Sequence, residues 1–418
     1  MTDIGRQRQQ EIYLGRLSGR DARVPVAPQA LEDAARQAIA IEHWNYLAGG
    51  AGREGTMEAN RRALDRCQIV PRVLRDVEHR DLSIELFGRR LPTPLLLAPI
   101  GVLELAHEEA DEAVARAAAH WRVPFIFSSQ ASRPMEATAA VMGEAPRWFQ
   151  LYWSRSDDLV RSLVTRAERC GCEAIVLTLD TTMLGWRPRD LDRGALPFLD
   201  GRGIAQYTSD PVFLEQLRTV TPRRGAAITP QAIATALRQK RYFPGLRGKL
   251  SGQPRLAVQH FLATYSRPSL RWEDLPTLRA MTSLPIVLKG ILHPDDAARA
   301  VHEGADGIIV SNHGGRQVDG AIGALDVLPA VVSAVAGRCP VLFDSGVRTG
   351  ADVFKALALG ATAVCLGRPY AYGLAIAGEY GVREVLANVL AEFDLTMGLA
   401  GCAGVADMSP ASVTIQSE

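Results

Sequence analysis

The sequence predicts an α/β protein built as a (β/α)8 TIM barrel, because eight short apolar runs alternate with stretches of helical spacing. The stretches between the runs are rich in Ala, Glu and Arg, as in 108-EEADEAVARAAAH-120 and 157-DDLVRSLVTRAERC-170. Eight is the number of parallel strands that closes such a barrel. The runs that we assign to barrel strands are 94-PLLLAPIG-101, 124-PFIFSS-129, 147-RWFQLYW-153, 173-EAIVLTLD-180, 285-PIVLKG-290, 306-DGIIVSN-312, 340-PVLFDSG-346 and 363-AVCLGRP-369.

Polar side chains stand at the carboxyl ends of these runs. The active site of a (β/α)8 barrel is built at the C-terminal ends of its strands. Position and chemistry therefore agree, and together they predict an active site at that end of the barrel. The polar residues concerned are Ser128, Gln150, Tyr152, Thr178, Asp180, Lys289, His313, Asp344 and Arg368.

The strand positions divide one single domain into five parts. In the first part, 28-PQALEDAARQAIAIEHWNYLAGGAG-52 is expected to be helical up to its glycine cluster, which ends the helix. The five parts are an N-terminal helical arm (1–93), barrel strands one to four (94–187), an insertion (188–282), barrel strands five to eight (283–375), and a C-terminal helix and tail (376–418).

The insertion between the fourth and fifth strands is far longer than an ordinary connection of this kind. It contains one predicted helix, 229-TPQAIATALRQKRYF-243, with Thr229 as its N-cap and a proline in the first turn. Between residues 212 and 255 it is strongly basic, with Glu215 as the single acidic residue. The insertion is either a lid over the active site, cleavable at 222-PRRGAA-227 when open, or a solvated segment without a role.

Composition indicates a globular protein that has no charged field of one sign. Of the 418 residues, 47% are hydrophobic and 22% charged, and the formal net charge is +1, so we expect neither nucleic acid nor a membrane as a partner. Six cysteines without a C-x-x-C pair indicate neither a disulfide scaffold nor a zinc site. The stretch 1-MTDIGRQRQQEIYLGRL-17 lacks the apolar core of a signal peptide, and a cytoplasmic protein without a bound metal is expected.

The stretch 311-SNHGGRQ-317 follows a buried strand and combines a base with an anion-binding group. Histidine moves protons near neutral pH, and the planar guanidinium of arginine matches a carboxylate. The two glycines between His313 and Arg316 allow the backbone to approach a ligand closely or to take positive φ. The alternative is a polar turn that follows the strand and has no function.

The loops after the last two strands predict a phosphate site. They are 344-DSGVRTG-350 and 366-LGRP-369, which combine glycine N–H groups with Arg348 and Arg368. The phosphate would belong to the substrate or to a cofactor such as FMN. Lys289, at the end of strand five, would be a Schiff-base nucleophile or a fixed cation beside an anion, and Asp180 would orient a nearby histidine.

Five further motifs give the chain a specific family resemblance. SNHGGRQ, FQLYW at 149–153, TLDT at 178–181, LKG at 288–290 and DSGVRTGADVFKALALGA at 344–361 resemble the FMN-dependent α-hydroxy acid oxidising enzymes, which include glycolate oxidase, lactate oxidase and mandelate dehydrogenase. The resemblance extends from Tyr46 to EFDLTM at 392–397. Within the family, 185-GWRPRDLD-192, the insertion and 98-APIGV-102 are most similar to lactate 2-monooxygenase.

The resemblance implies a role for each site residue. His313 would be the base that takes a proton from the substrate, and Asp180 would balance the resulting charge. Tyr152 would bind the substrate hydroxyl, and Lys289 would stabilise reduced flavin. The substrate carboxylate would be held by Arg316, Arg187 and Tyr46. The flavin would be held by Pro99, Ile100, Gly101, Ser128, Gln150, Thr178, Lys289, Ser311, Asp344, Ser345, Gly346, Arg348, Gly367 and Arg368.

Two positions depart from the glycolate oxidase pattern. That pattern has Pro-Thr-Ala where this chain has Pro99-Ile100-Gly101, and Gly101 is expected to open space above flavin N5. The aromatic residue that often follows the Ser-Ser pair is Gln130 in this chain. These departures leave the reaction class unchanged and make the identity of the substrate an open question.

The resemblance implies oxidation of a small, lactate-like L-2-hydroxy acid with oxygen as acceptor. If the 2-oxo acid stays bound, oxidative decarboxylation follows, as in lactate 2-monooxygenase. If it leaves early, 2-oxo acid and hydrogen peroxide are released. A phosphate-binding barrel of another class, such as an isomerase, is the alternative, although Arg316 favours a carboxylate substrate. A homotetramer or homo-octamer is the expected assembly.

Overall fold

A closed barrel of eight parallel strands lies at the centre of the computed structural model, which describes residues 3–19, 23–221 and 229–416. Each strand pairs with its neighbours in sequence, and the eighth pairs with the first. The predicted barrel is therefore confirmed in the number and the order of its strands. The strands are Leu95–Leu97, Phe125–Phe127, Arg147–Leu151, Ile175–Thr178, Ile286–Ile291, Gly307–Val310, Val341–Phe343 and Ala363–Leu366.

Both faces of the barrel strands are buried, which explains why the runs are apolar without interruption. Leu96, Ile126 and Val176 belong to the cluster inside the barrel. Their neighbours Leu95 and Phe127 belong to the larger cluster that includes the surrounding helices. The helices around the barrel are Ala110–Trp121, Met135–Met142, Asp157–Arg169, Leu275–Arg279, Pro294–His302, Ala324–Val335, Gly350–Ala358 and Arg368–Leu399.

A hairpin that the sequence analysis did not predict closes the N-terminal end of the barrel. Its strands, Ile84–Leu86 and Arg89–Leu91, pair in antiparallel fashion. Leu86 and Leu91 belong to the inner barrel cluster, and the ring of Phe87 lies 5.5 Å from that of Trp148. A second antiparallel pair joins Cys67–Ile69 to Val413–Ile415. The C-terminal ends of the barrel strands therefore remain as the face where a site can form.

The two terminal regions differ in detail from the predicted helices. The arm contains the helices Ile4–Leu17, Pro28–Ala38, Ile41–Ala48 and Gly55–Arg66, so the continuous helix expected from residue 28 is wrong. Its backbone is extended at Ile39, and the turn that follows brings Trp44 into a stack with Tyr372 at 5.3 Å. The C-terminal helix begins at Arg368, directly after the last strand, and has non-helical dihedral angles at Ala377 and Gly378.

The predicted helix of the insertion is confirmed at Pro230–Tyr242, where the Thr229 hydroxyl accepts a hydrogen bond from Ala232 N at 3.1 Å. The expectation of a single helix is wrong, because short helices without a clear period fill most of the described insertion. The stretch 222-PRRGAA-227 lies outside the described residues. The additional insertion helices are Pro188–Leu191, Ala205–Thr208, Pro211–Gln216, Leu246–Lys249, Gln253–Thr264 and Leu275–Arg279.

A buried aromatic cluster joins the two halves of the insertion to each other, and an ion pair fixes its first half to a barrel helix. The ring of Phe261 lies 5.2 Å from Phe198 and 4.8 Å from Tyr207, and all three side chains are buried. Arg166, on a barrel helix, forms a 3.1 Å ion pair with the fully buried Asp210 of the insertion. A solvated insertion is therefore wrong for this half of the segment.

Short 3-10 helices connect several elements. Within the described part of the chain, no helix has the length and apolar character needed to cross a membrane. All six cysteines are unpaired. The 3-10 helices are Leu103–Leu105, Pro197–Asp200, Trp272–Asp274, His313–Gly315, Val405–Asp407 and Pro410–Ser412.

Candidate active site

A cavity opens at the C-terminal end of the barrel, where the sequence analysis predicted the site. Four of the predicted residues, Gln150, Thr178, Asp180 and Ser311, lie behind its wall and contact the residues that form it. The predicted residues that line the cavity are Tyr46, Pro99, Ile100, Gly101, Ser128, Tyr152, Arg187, Lys289, His313, Arg316, Asp344, Ser345, Gly346, Arg348, Gly367 and Arg368.

The loop 311-SNHGGRQ-317 is folded as a tight turn that aims His313 at the cavity. His313 has φ 59°, and the two glycines that follow also have positive φ. The Asn312 side chain accepts a hydrogen bond from Gly315 N at 3.1 Å, and the His313 N–H donates to Ser311 Oγ at 3.0 Å. The glycines therefore serve the turn, and the polar-turn alternative does not explain the buried contacts of the histidine ring.

His313 and Asp180 form a hydrogen-bonded pair that joins the loops after the fourth and sixth strands. The distance from His313 Nδ1 to Asp180 Oδ1 is 2.8 Å. Because a carboxylate only accepts hydrogen bonds, Nδ1 carries the proton and Nε2 is the nitrogen that can take one from a bound molecule. Gly290 makes room for this pair, since a Cβ there would lie 2.9 Å from Asp180 Cβ.

Burial, more than the surrounding charges, keeps His313 in the form of a base. Burial lowers the pKa of His313, Asp180 opposes this effect, and Lys289 adds to the lowering. Burial acts to raise the pKa of Asp180, but His313 and Lys289 outweigh it and the pKa is lowered. At neutral pH the site therefore holds a neutral imidazole against an ionised carboxylate, as proton abstraction requires.

Two arginines, the buried Arg187 and the partly exposed Arg316, stand beside the histidine and have no carboxylate to neutralise them among the described residues. Among the described residues, neither Arg187 nor Arg316 has an acidic side chain within ion-pair distance. Arg316 Nη1 donates to the carbonyl oxygens of Tyr46 at 2.6 Å and Gly49 at 2.7 Å, and its guanidinium lies 5.1 Å from the Tyr46 ring centroid. Burial, and then Arg187, lower the pKa of Arg316. The pair is thus suited to an anion that enters the cavity.

Lys289 is a fixed cation in the floor of the site. Its ammonium group lies 2.7 Å from Asp344 Oδ2 and 2.8 Å from Ser311 Oγ. Burial acts to lower the pKa of Lys289, but Asp344 and Asp180 raise it well above its usual range. A permanently charged lysine is a poor nucleophile, so the geometry favours the fixed cation over the Schiff-base alternative.

The predicted phosphate loops form a cradle at the other side of the cavity. Ser345 and Gly346 have φ values of 95° and 87°, which turn this loop sharply. Arg368 is held by the carbonyl oxygens of Gly314 and Gly49, both at 2.9 Å. Arg348 lines the same cavity. Neither arginine has a carboxylate partner among the ion pairs of the described residues, which suits a phosphate group.

The polar atoms behind the cavity fit a flavin ring. Gln150 Nε2 and Thr178 Oγ1 are buried and have no hydrogen-bond partner within the described chain. Such groups are costly unless a ligand satisfies them. With the cation of Lys289 on one side and the two phosphate-loop arginines on the other, the residues present fit FMN.

Gly101 and Gln130, the two departures from the glycolate oxidase pattern, lie against each other. A Cβ at Gly101 would lie 3.0 Å from Gln130 Cβ and 3.4 Å from its Oε1. The expectation that Gly101 simply opens space is therefore wrong, because Gln130 occupies the space that the missing methyl group leaves. Gln130 also lines the cavity.

Two residues of the site were present in the quoted motifs but received no role in the sequence analysis. Gln317 ends SNHGGRQ, and its amide accepts from Arg187 Nη2 at 2.9 Å and donates to the carbonyl oxygen of Asp180 at 2.8 Å. Thr181 ends TLDT and contacts both Asp180 and His313. The sequence did contain a signal for both residues, because each is a polar residue directly beside one with a predicted role.

Comparison with known proteins agrees with this site. Residues 35–415 match the family described as FMN-dependent dehydrogenase. The L-lactate oxidase of Lysinibacillus sphaericus (strain C3-41) is 42% identical over 381 residues, covering 91% of this chain and 90% of that protein. The 4-hydroxymandelate oxidase of Amycolatopsis orientalis is 42% identical over 376 residues, covering 90% and 94%. A solved mandelate oxidase structure with (S)-4-hydroxymandelic acid is 40% identical, with TM-score 0.77, covering 93% and 98%.

Fold, site and relatives together define an FMN-dependent oxidoreductase that acts on 2-hydroxy acids. The chain belongs to the FMN-dependent dehydrogenase family, which confirms the family resemblance and FMN as the cofactor. The isomerase alternative is set aside by the same finding.

Gly290→Ala is expected to destabilise the protein through the Asp180 contact. Gly290 has φ 106°, so alanine is strained there and its Cβ would also overlap Asp180. Gly304→Ala is the matched control, since Gly304 has φ 83° but no atom within 4 Å of an added Cβ. Chemical denaturation should show a loss of unfolding free energy about 1–3 kcal/mol larger for Gly290→Ala. Equal losses would show that strain alone acts at Gly290.

Proposed function

We propose that the protein oxidises a small, lactate-like L-2-hydroxy acid to the 2-oxo acid, with oxygen as the final acceptor. The observation that supports this most strongly is that Arg187 and Arg316 line the cavity beside the His313–Asp180 pair and lack carboxylate partners in the described residues. An anion clamp next to a neutral, oriented base suits a substrate with a carboxylate and an adjacent C–OH group. The L-lactate oxidase relative supports lactate as the first substrate to test.

In this proposal the substrate carboxylate binds to Arg187 and Arg316, with help from the Tyr46 hydroxyl. The hydroxyl of Tyr152 faces the same cavity and holds the substrate C–OH. His313 Nε2 then takes the proton, and the ionised Asp180 stabilises the imidazolium that forms. FMN, when bound, supplies the acceptor for the two electrons that leave the substrate.

The cofactor-binding residues follow from the two sides of the cavity. Lys289 would place its positive charge beside the flavin ring, where charge develops on reduction. Arg348 and Arg368 would hold the phosphate. The remaining proposed flavin contacts are Pro99, Ile100, Gly101, Ser128, Gln150, Thr178, Ser311, Asp344, Ser345, Gly346 and Gly367.

We propose further that the 2-oxo acid stays in the cavity and is oxidised there by the hydrogen peroxide that forms from oxygen. This breaks the bond between its carboxyl and carbonyl carbons and yields a shortened acid, carbon dioxide and water. The packing of the insertion supports retention, since Phe198 meets the Tyr46 ring edge-on at 6.5 Å and Phe198 is buried. An added Cβ at Gly203 of the insertion would lie 3.1 Å from the Gln130 carbonyl oxygen, so this wall is closely packed. The oxidase names of the relatives favour the alternative, release of 2-oxo acid and hydrogen peroxide.

The assembly and location of the protein complete the proposal. The family resemblance supports a homotetramer or homo-octamer. The bacterial L-lactate oxidase relative supports the cytoplasm as the location of this protein. The five-part division of the chain and a lid role for residues 188–282 are likewise proposals.

His313→Gln should retain FMN but lose most of the proton transfer. Glutamine cannot act as a base, so flavin reduction by L-lactate should slow by at least ~10²-fold. Anaerobic rapid mixing measures that rate directly from the flavin absorbance. His302→Gln, an exposed histidine on a barrel helix, serves as the control and should reduce at the normal rate. Near-normal reduction by His313→Gln would refute the assignment of the base.

The fate of the product distinguishes the two forms of the reaction. L-Lactate is to be oxidised in air with catalase present, so that free peroxide cannot decarboxylate pyruvate in solution. Retention predicts acetate and carbon dioxide as the main products. Pyruvate that accumulates in proportion to the lactate consumed would contradict retention and establish the oxidase alternative.

A further inference from the structure

We propose that Thr181 is a positioning residue that holds Asp180 and His313 in a single hydrogen-bonded triangle and thereby sets how readily the histidine accepts a proton. The inference rests on the proposed role of His313 as base. Thr181 is buried, and its side chain lines the active-site cavity. It lies directly after Asp180 in the loop that follows the fourth barrel strand.

The three contacts of the triangle are short and have one consistent assignment of protons. Thr181 Oγ1 lies 2.9 Å from Asp180 Oδ1 and 3.2 Å from His313 Nδ1, and those two atoms are 2.8 Å apart. The carboxylate can only accept, so the Thr181 hydroxyl donates to it. The His313 Nδ1–H then donates to Asp180 and faces the threonine oxygen, which keeps Nε2 free of its own proton.

Asp180 depends on Thr181 because its carboxylate has few other donors. Its second oxygen, Oδ2, is buried without a hydrogen-bond partner in the described part of the chain. Gln317 donates to the Asp180 backbone carbonyl, not to the carboxylate. Thr181 and His313 are therefore the two donors that hold this side chain, and without Thr181 only the imidazole would orient it.

Loss of the hydroxyl changes the charge that His313 experiences. The charged groups that face the imidazole are Asp180, Lys289, Arg187 and Asp344. The hydroxyl of Thr181 disperses part of the negative charge of Asp180, and its hydrogen bond acts to lower the pKa of that carboxyl. Without it, more of this charge acts on the imidazolium, so the histidine binds its proton more tightly and loses basic form at a higher pH.

Thr181→Val removes the hydroxyl and keeps the shape of the side chain. We expect the fall in the rate of anaerobic flavin reduction at acidic pH to move upward by roughly 0.5–1 pH unit. The shift is smaller than the full strength of a hydrogen bond to a carboxylate because the change reaches His313 only through Asp180. Thr181→Ser should restore the wild-type pH profile. Thr138→Val, at a buried threonine on the helix Met135–Met142, is the matched control and should leave the pH profile in place.

A titration without substrate separates this inference from the proposed function. Histidine labelled with 13C at Cε1 gives one NMR signal for each histidine. The signal of His313 is the one that is missing from the spectrum of His313→Gln. The pH midpoint of the His313 signal should rise in Thr181→Val by the same amount as the kinetic pH profile shifts. In Thr181→Ser it should return to the wild-type value. An unchanged midpoint in Thr181→Val, or an equal shift in Thr181→Ser or Thr138→Val, would overturn the inference. Failure of every 2-hydroxy acid to reduce the wild-type flavin would overturn the proposed function alone.

Discussion

The 2.8 Å contact between Asp180 and His313 is the interaction on which the rest of the site depends. It joins two loops that leave the barrel at the fourth and sixth strands, so the barrel must close before the contact can form. The fifth strand runs between these loops, and its Gly290 leaves the space that the carboxylate fills. The tautomer of the base is thus fixed by the fold, because only Nδ1 meets a carboxylate.

The cavity around this contact has more positive than negative charge. Lys289 is neutralised by Asp344. The arginines at both ends of the cavity have no ion pair with an acidic side chain among the described residues. Arg187 is buried and the other three are partly buried, so these charges are costly until an anion arrives. These arginines form two groups: Arg187 and Arg316 lie beside His313, and Arg348 and Arg368 lie at the phosphate loops. This arrangement suits two anions, one on the substrate and one on the cofactor. Burial is the main cause that lowers the pKa of His313, and the positive charges of Lys289 and Arg187 add to this lowering.

The sequence allowed the barrel and most of the site to be predicted, because both follow local patterns. Each barrel strand is a continuous apolar run, and the polar residues predicted by position stand where such runs end. Tyr46 and Arg187 do not lie at strand ends, and only the family resemblance indicated them. The insertion helices were missed since pieces such as Ala205–Thr208 are too short to show a period and are held by a buried aromatic cluster formed from distant residues. Contacts across the cavity were equally hidden: nothing in the sequence places Gln130 against Gly101 or Thr181 against His313.

The pH dependence of flavin reduction in the wild-type protein tests the central claim most directly. The purified holoprotein is to be mixed anaerobically with L-lactate and other small L-2-hydroxy acids between about pH 4.5 and 9, and the loss of flavin absorbance followed. A base must be neutral to act, so the rate should fall as the pH drops through the pKa of His313, which burial places below the ordinary value of 6.5. The account predicts that this fall in rate has its midpoint below pH 6.5. A midpoint above pH 6.5, or a rate that does not depend on pH over this range, would contradict it.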